Sequence, residues 1–292
     1  ELQSLEPGKW DDAARFVLQA AATRQAGESA ILVDSVTDER DSATGSRRQR
    51  IALINADMPF LVDSIANCLS QADLVIHLLA HPILPVQRDE SGRLKAIADE
   101  DGAARESFIY IETDRVDARG RRELERALEE TLSHVRAAVG DWRAMIDALN
   151  ADANRLGAGE GGDFLRWLLK GNLTQLGHEL WAPGGKTSRQ KGICRVAKTP
   201  VLSDHSAAAA LAWFEAGHAG PLILKSNMMA RVHRHVLIDL LLVPVREEGK
   251  ITALSIHAGL WTSAALATRP DDVPMLRDTL SGLMARFGYN PS

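Results

Sequence analysis

Cysteine is close to absent from this sequence: Cys68 and Cys194 are the two among 292 residues. They lie far apart and form no C-x-x-C pair, which excludes a disulfide framework and the common cysteine zinc motifs. Such usage fits a reducing cytoplasm. Aromatic residues supply 5% of the chain, so any core must be built on Ala, Leu, Val and Ile. No apolar run reaches the roughly 18 residues of a membrane span, and no basic patch followed by an apolar stretch marks a signal peptide. An excess of positive charge is missing too: the net charge is -5 and the pI about 6.0. The basic clusters Arg47–Arg50 and Arg119–Arg126 are short and interrupted, which excludes a nucleic-acid stripe. An initiator Met is absent, and Asn290-Pro291-Ser292 directly follows a helical pattern, so both ends read as cut.

Catalytic and nucleotide motifs are missing as well. There is no G-x-x-x-x-G-K-[ST] and no G-x-S-x-G. The glycines Gly157, Gly159, Gly161 and Gly162 lie between two helical patterns rather than after a strand, so they read as a flexible linker and not a dinucleotide fingerprint. His77 and His81 sit four apart on a strand, and His233 and His235 two apart on another, but neither pair has a further ligand at a usual spacing. Cys68 falls on the apolar face of a helix and reads as a small hydrophobe. Cys194 has Arg195 beside it but no nameable base. The expectation is no catalytic, cofactor or metal residue.

What is present is an alternation of strands and helices. Trp10–Gln25 reads as a helix, Ala30–Val33 as a strand and Thr37–Gln49 as a loop. Arg50–Ile54 is a strand, and Leu61, Ile65, Cys68, Leu69 and Ala72 form one helical face. Leu74–Pro85 reads as one long buried strand, Gln87–Arg93 as a turn, Ser107–Thr113 as a strand and Glu123–Val139 as a helix. The order strand, helix, strand, strand, helix is most of a ferredoxin-like βαββαβ unit. No closing strand follows Val139, and Ala30–Val33 is expected to take its place in the sheet. The second half predicts a helix at Phe164–Leu169, strands at Leu173–Leu180 and Ile193–Val196, and a helix at Ser206–Glu215. A strand at Leu222–Ser226, a hairpin of Val236–Val245 with Ile251–Leu260 and a last helix from Val273 to Phe287 complete it. The fold class expected is therefore α+β. Residues 1–48 pack on a first module of 49–149, a linker occupies 150–162, and a second, sensor-like α+β module spans 163–292.

The turn between the first-module strand and its helix is the candidate ligand site, formed by Asn55, Asp57, Met58, Pro59 and Phe60. Asp57 is placed to cap the helix and Pro59 to open its first turn. Free backbone N–H groups at a helix start attract a carboxylate, which suits an amino-acid ligand. The plainer reading is that Asp57 and Pro59 only start the helix.

The run Asn55-Ala56-Asp57-Met58-Pro59-Phe60-Leu61-Val62-Asp63-Ser64 resembles the NDDMPFLVDS signature near the N-terminus of the large bacterial NAD-specific glutamate dehydrogenases. His81-Pro82, Glu106-Ser107-Phe108, Asp141-Trp142-Arg143, Phe164-Leu165-Arg166-Trp167-Leu168, Val232-His233-Arg234 and Gly259-Leu260-Trp261-Thr262-Ser263 follow in that family's order. The resemblance implies an N-terminal regulatory fragment with ACT-like and PAS-like modules and no catalysis of its own. The NAD and glutamate sites would lie in a domain further along, which converts L-glutamate to 2-oxoglutarate and ammonia. The partners implied are that domain and other subunits of a homo-oligomer. Three departures stand out. Ala56 replaces the first Asp of the signature. Asn172–His178 is a weakened version of an aromatic-rich family segment. Ligand-binding ACT modules resemble D-x-P-G-x-L at this turn, whereas Phe60 occupies the glycine position. A benzyl side chain there would fill the ligand's approach. The alternative is an amino-acid sensor, with its ligand at the Asn55–Phe60 turn or in the second module.

Overall fold

The computed structural model describes residues 7–36, 48–98 and 103–287. The loop expected at Thr37–Gln49 lies almost wholly outside them. The chain forms two compact units. One comprises Glu1–Arg136 with Arg231–His235, the other Ala137–Ala230 with Val236–Ser292.

The first unit opens with α1 (Pro7–Ala21) and β1 (Ala30–Val36), followed by β2 (Arg48–Ala56) and α2 (Leu61–Gln71). Next come β3 (Ile76–Ala80), β4 (Ile83–Arg88), β5 (Leu94–Ile97), β6 (Ala104–Asp114) and α3 (Ala118–Gly140). The sheet runs β1-β2-β6-β4-β5, with β3 also pairing to β6, and its pairs are antiparallel. As expected, β1 lies beside β2, in register from Ala30 with Ile54 to Val36 with Arg48. An upstream strand thus takes the place that a closing strand has in a ferredoxin-like unit. Both faces of the central strands are buried, which is why Ile51–Ile54 reads as a continuous apolar run. Ala52 and Tyr110 pack under Ala13 and Phe16 of α1 on one face. Ile51, Leu53, Ile109 and Ile111 point to the other face, which calls for cover such as the buried stripe Leu61, Ile65 and Leu69 of α2.

Leu74–Pro85 departs from expectation, because it is not one strand. It breaks at His81-Pro82 into β3 and β4, both laid along the eleven-residue β6. Pro82 has no N–H for a ladder, but its carbonyl accepts from the Phe108 N–H at 2.9 Å. The turn expected at Gln87–Arg93 is the tip of a hairpin whose second arm, β5, is too short at four residues to signal itself.

The second unit holds α4 (Trp142–Leu156), α5 (Glu160–Trp167), a π-helical turn at Leu168–Asn172, and β7 (Leu173–Ala182) with β8 (Lys186–Gly192). After them come α6 (Ile193–Val196), α7 (Asp204–Glu215), β9 (Leu222–Met229), β10 (Leu237–Glu247), β11 (Lys250–Trp261), α8 (Ser263–Ala267) and α9 (Leu276–Arg286). Its antiparallel sheet runs β8-β7-β11-β10-β9. Leu149 and Ala153 of α4 and Phe164 and Leu165 of α5 share a core with Leu241 and Val243 of the sheet. The glycine-rich 150–162 stretch is therefore helix end, short connection and helix start within this unit, and the units divide at Arg136/Ala137 instead. The partner of β7 is β8, not the expected strand Ile193–Val196, which is a short helix. β8 reads Lys-Thr-Ser-Arg-Gln-Lys-Gly, an exposed charged edge strand with no apolar alternation to announce it. Glu248 and Gly249, at φ 49° and 81°, close the β10–β11 hairpin as the sequence suggested. Among the described residues, no helix is long and apolar enough to cross a membrane.

Candidate functional site

The polar groups of the Asn55–Phe60 turn bond to the protein itself. Asn55 is buried; its side-chain Oδ1 accepts from Ser29 Oγ at 2.8 Å and its Nδ2 donates to the Ala56 carbonyl at 2.7 Å. Asp57 donates its N–H to the Arg105 carbonyl at 3.0 Å and accepts from Ser107 Oγ at 2.9 Å, both on β6. It does not cap the helix. The helix begins at Leu61, and Phe60 stands at its cap in the left-handed conformation, φ 72°, with no side-chain cap bond. Met58 is half-buried, and Pro59 is exposed and precedes the first helical turn rather than opening it.

The Phe60 ring lies 5.2 Å, centroid to centroid, from that of His233. His233 belongs to the Arg231–His235 segment, which joins β9 to β10 yet is part of the first unit. It is not on a strand, as the sequence suggested. Its N–H donates to Ser64 Oγ at 2.9 Å, its Nδ1 lies 3.0 Å from Asp63 Oδ2, and its carbonyl accepts from Asn67 Nδ2 at 2.7 Å. The first two turns of α2 are thus covered by a distant part of the same chain. The other histidine pair also does not converge, since His77 Nε2 is 2.8 Å from Asp114 Oδ1.

Elsewhere in the first unit, Glu106 is 1% exposed and held between two arginines. Arg24 Nη2 meets Oε1 at 2.6 Å, and Arg88 Nε and Nη2 meet Oε1 and Oε2 at 2.8 Å. Burial pushes the Glu106 carboxyl up, but the bonds from Arg88 and Arg24 outweigh it and hold it below its usual range. Arg88 also donates to the carbonyls of Ala21 and Gly92, tying the end of α1 to the β4–β5 turn. This group borders a cavity of about 640 Å³. Its ties to both backbones mark it as a clamp.

The second unit contains a polar group that sequence reasoning missed. Register places His178 of β7 directly opposite His257 of β11, with ring centroids 4.7 Å apart. Asp152 of α4 meets His257 Nε2 through Oδ2 at 2.7 Å, and Ser255 Oγ is 3.0 Å from His178 Nε2. Exposure is 2% for Asp152, 4% for His178 and 0% for His257. Their ligand atoms lie within 4.8 Å of one another, the geometry of a group that could hold a metal ion. Burial, aided by His257, pushes the His178 pKa down to about 3, so its imidazole is neutral near pH 7. A cavity of about 370 Å³ adjoins, bordered by Arg155, Arg189 and Lys191. No spacing in the sequence could reveal this set, because strand register joins the two histidines and the packing of α4 on the sheet brings Asp152 to them. Both cysteines are buried, and burial raises their thiol pKa values, which leaves inert thiols.

Residues 1–128 match the family model described as glutamate dehydrogenase, ACT1 domain. The NAD-specific glutamate dehydrogenase of Halomonas elongata is 29% identical over 276 residues, covering 82% of this chain and 17% of that protein. The enzyme of the same name from Pseudomonas aeruginosa is 28% identical over 277 residues, covering 84% and 17%. The chain thus spans about a sixth of the length of these relatives. A solved structure of an RNA-binding light-oxygen-voltage receptor aligns over 97% of this chain and 88% of its own at 11% identity. Its TM-score of 0.21 is too low to bear on the fold.

Proposed function

We propose that this chain, an N-terminal region of the NAD-specific glutamate dehydrogenase family, is a non-catalytic regulatory and assembly region. On this reading the longer enzyme oxidatively deaminates L-glutamate in the cytoplasm, and NAD and glutamate bind in a domain further along the chain. This region acts through contacts with that domain and with other subunits of a homo-oligomer. An effector acting here would change a distant site only by its differential affinity for two states of the enzyme.

The observation that carries the reading is the turn at Phe60. It keeps a backbone conformation that glycine adopts most easily. The space a ligand would approach instead holds a benzyl ring, with His233 against it. The carboxamide of Asn55 and the carboxylate of Asp57 are engaged within the protein. A turn of this kind suits packing better than recognition of a free amino acid.

The test is thermal unfolding of the chain against a panel of the common amino acids at millimolar concentration. Binding to the folded state alone would raise the midpoint. The packing reading predicts no midpoint shift that depends on Phe60. A shift abolished by changes at Asn55 or Asp57 would establish the sensor reading in its place.

A further inference from the structure

We infer that Asp152, His178 and His257 form a binding site for a divalent transition-metal ion in the second unit. Two imidazoles and one carboxylate are a ligand set that suits zinc and its first-row neighbours. Three protein ligands would leave coordination positions open toward the adjoining cavity.

Convergence is the first argument. The ligand atoms come from a helix and two paired strands and lie within 4.8 Å of one another, with the residues at most 4% exposed. Rigid elements hold them, since His178 and His257 are register partners and α4 shares its core with the sheet.

Unused bonding capacity is the second. His257 Nε2 faces Asp152 Oδ2 at 2.7 Å, so an ion held by both would take the place of the proton between them, and the buried, unpartnered His257 Nδ1 would carry the ring N–H. His178 Nδ1 is likewise buried and unpartnered. A network kept only for structure would be expected to satisfy such atoms, because leaving them unpaired is costly. A metal ion is a natural acceptor of imidazole lone pairs.

Charge sets a condition. Asp152 is paired with Arg155, so a bound cation must displace that guanidinium toward the cavity. Arg155 is 37% exposed, which leaves it room to move. Arg189 and Lys191 also border the cavity and favour an anion, such as a carboxylate, as the outer ligand of the bound metal.

The experiment is titration of the chelator-treated chain with Co²⁺, read by visible absorption, then displacement by Zn²⁺. The variants are His257→Gln and Asp152→Asn, each checked for folding by circular dichroism, with His205→Gln as an exposed control. The expected result is one equivalent of Co²⁺ bound and displaced by Zn²⁺, weakened at least about tenfold in folded His257→Gln or Asp152→Asn and unchanged in His205→Gln. Absence of stoichiometric binding by the unaltered chain overturns the inference. So does equal binding by the cluster variants, which would assign the metal to surface histidines.

Discussion

Phe60 holds a backbone angle that costs an L side chain about 1 kcal/mol or more, and glycine nothing. Its ring offsets that cost by packing against His233. Two substitutions separate the effects. Phe60→Ala loses the ring and keeps the strained φ of 72°, whereas Phe60→Gly loses the ring and relieves the strain. Urea unfolding should therefore find Phe60→Gly more stable than Phe60→Ala by about 1 kcal/mol. Equal stabilities would show that the left-handed conformation is not kept. Glu106 supports a second prediction at this scale. Its folded pKa lies below its ordinary 4.5 because two arginines bond its charged form. Below pH 4.5 the unfolded chain therefore binds more protons than the folded one, and this stabilising contribution, complete above that pH, is lost as acid is added. Glu106→Gln should be less stable than the unaltered chain at pH 7, by about 3 kcal/mol, because two arginines lose their buried counter-charge. The gap should narrow as pH falls below 4.5, and a gap constant from pH 7 to 3 would contradict this account.

At the scale of elements, the sequence was legible wherever apolar residues repeat with a strand or helix period. α2, α3, β6 and the β10–β11 hairpin fall where periodicity places them. The upstream strand β1 could be placed too, since an incomplete βαββα unit needs a fourth strand. Elements held by their neighbours were not legible. β8 is polar and exposed and exists because β7 offers it an edge. β5 is four residues long, held by β4. The helix start moved from Pro59 to Leu61 because Asp57 bonds across to β6, a choice that local capping rules do not contain. Gly192, the last residue of β8, tests the pairing of β8 with β7. It has φ 58°, and a Cβ there would meet the Leu176 carbonyl oxygen at 2.1 Å. Backbone cannot yield as a side-chain tip can. Gly192→Ala should cost about 2 kcal/mol or more in unfolding free energy, and a neutral substitution would show that β8 does not join β7 in this register.

Across the whole molecule, the resemblance at Asn55–Ser64 was readable because that run keeps the signature's order of residue types; the surroundings of the turn were not, because they depend on what covers it. The cover is His233, 173 positions beyond Phe60. The buried Asp152–His178–His257 group was hidden for the same reason, since strand register links its histidines and helix packing supplies its aspartate. The central claim is that this chain regulates or assembles a dehydrogenase without taking part in its chemistry. The most direct test is to mix the purified chain with NAD and L-glutamate, follow NADH absorbance, and measure NAD binding at equilibrium in the same sample. The account predicts no NADH above the enzyme-free rate and no saturable NAD binding. Sustained NADH formation that follows the chain through purification, or saturable NAD binding by it, would contradict the account.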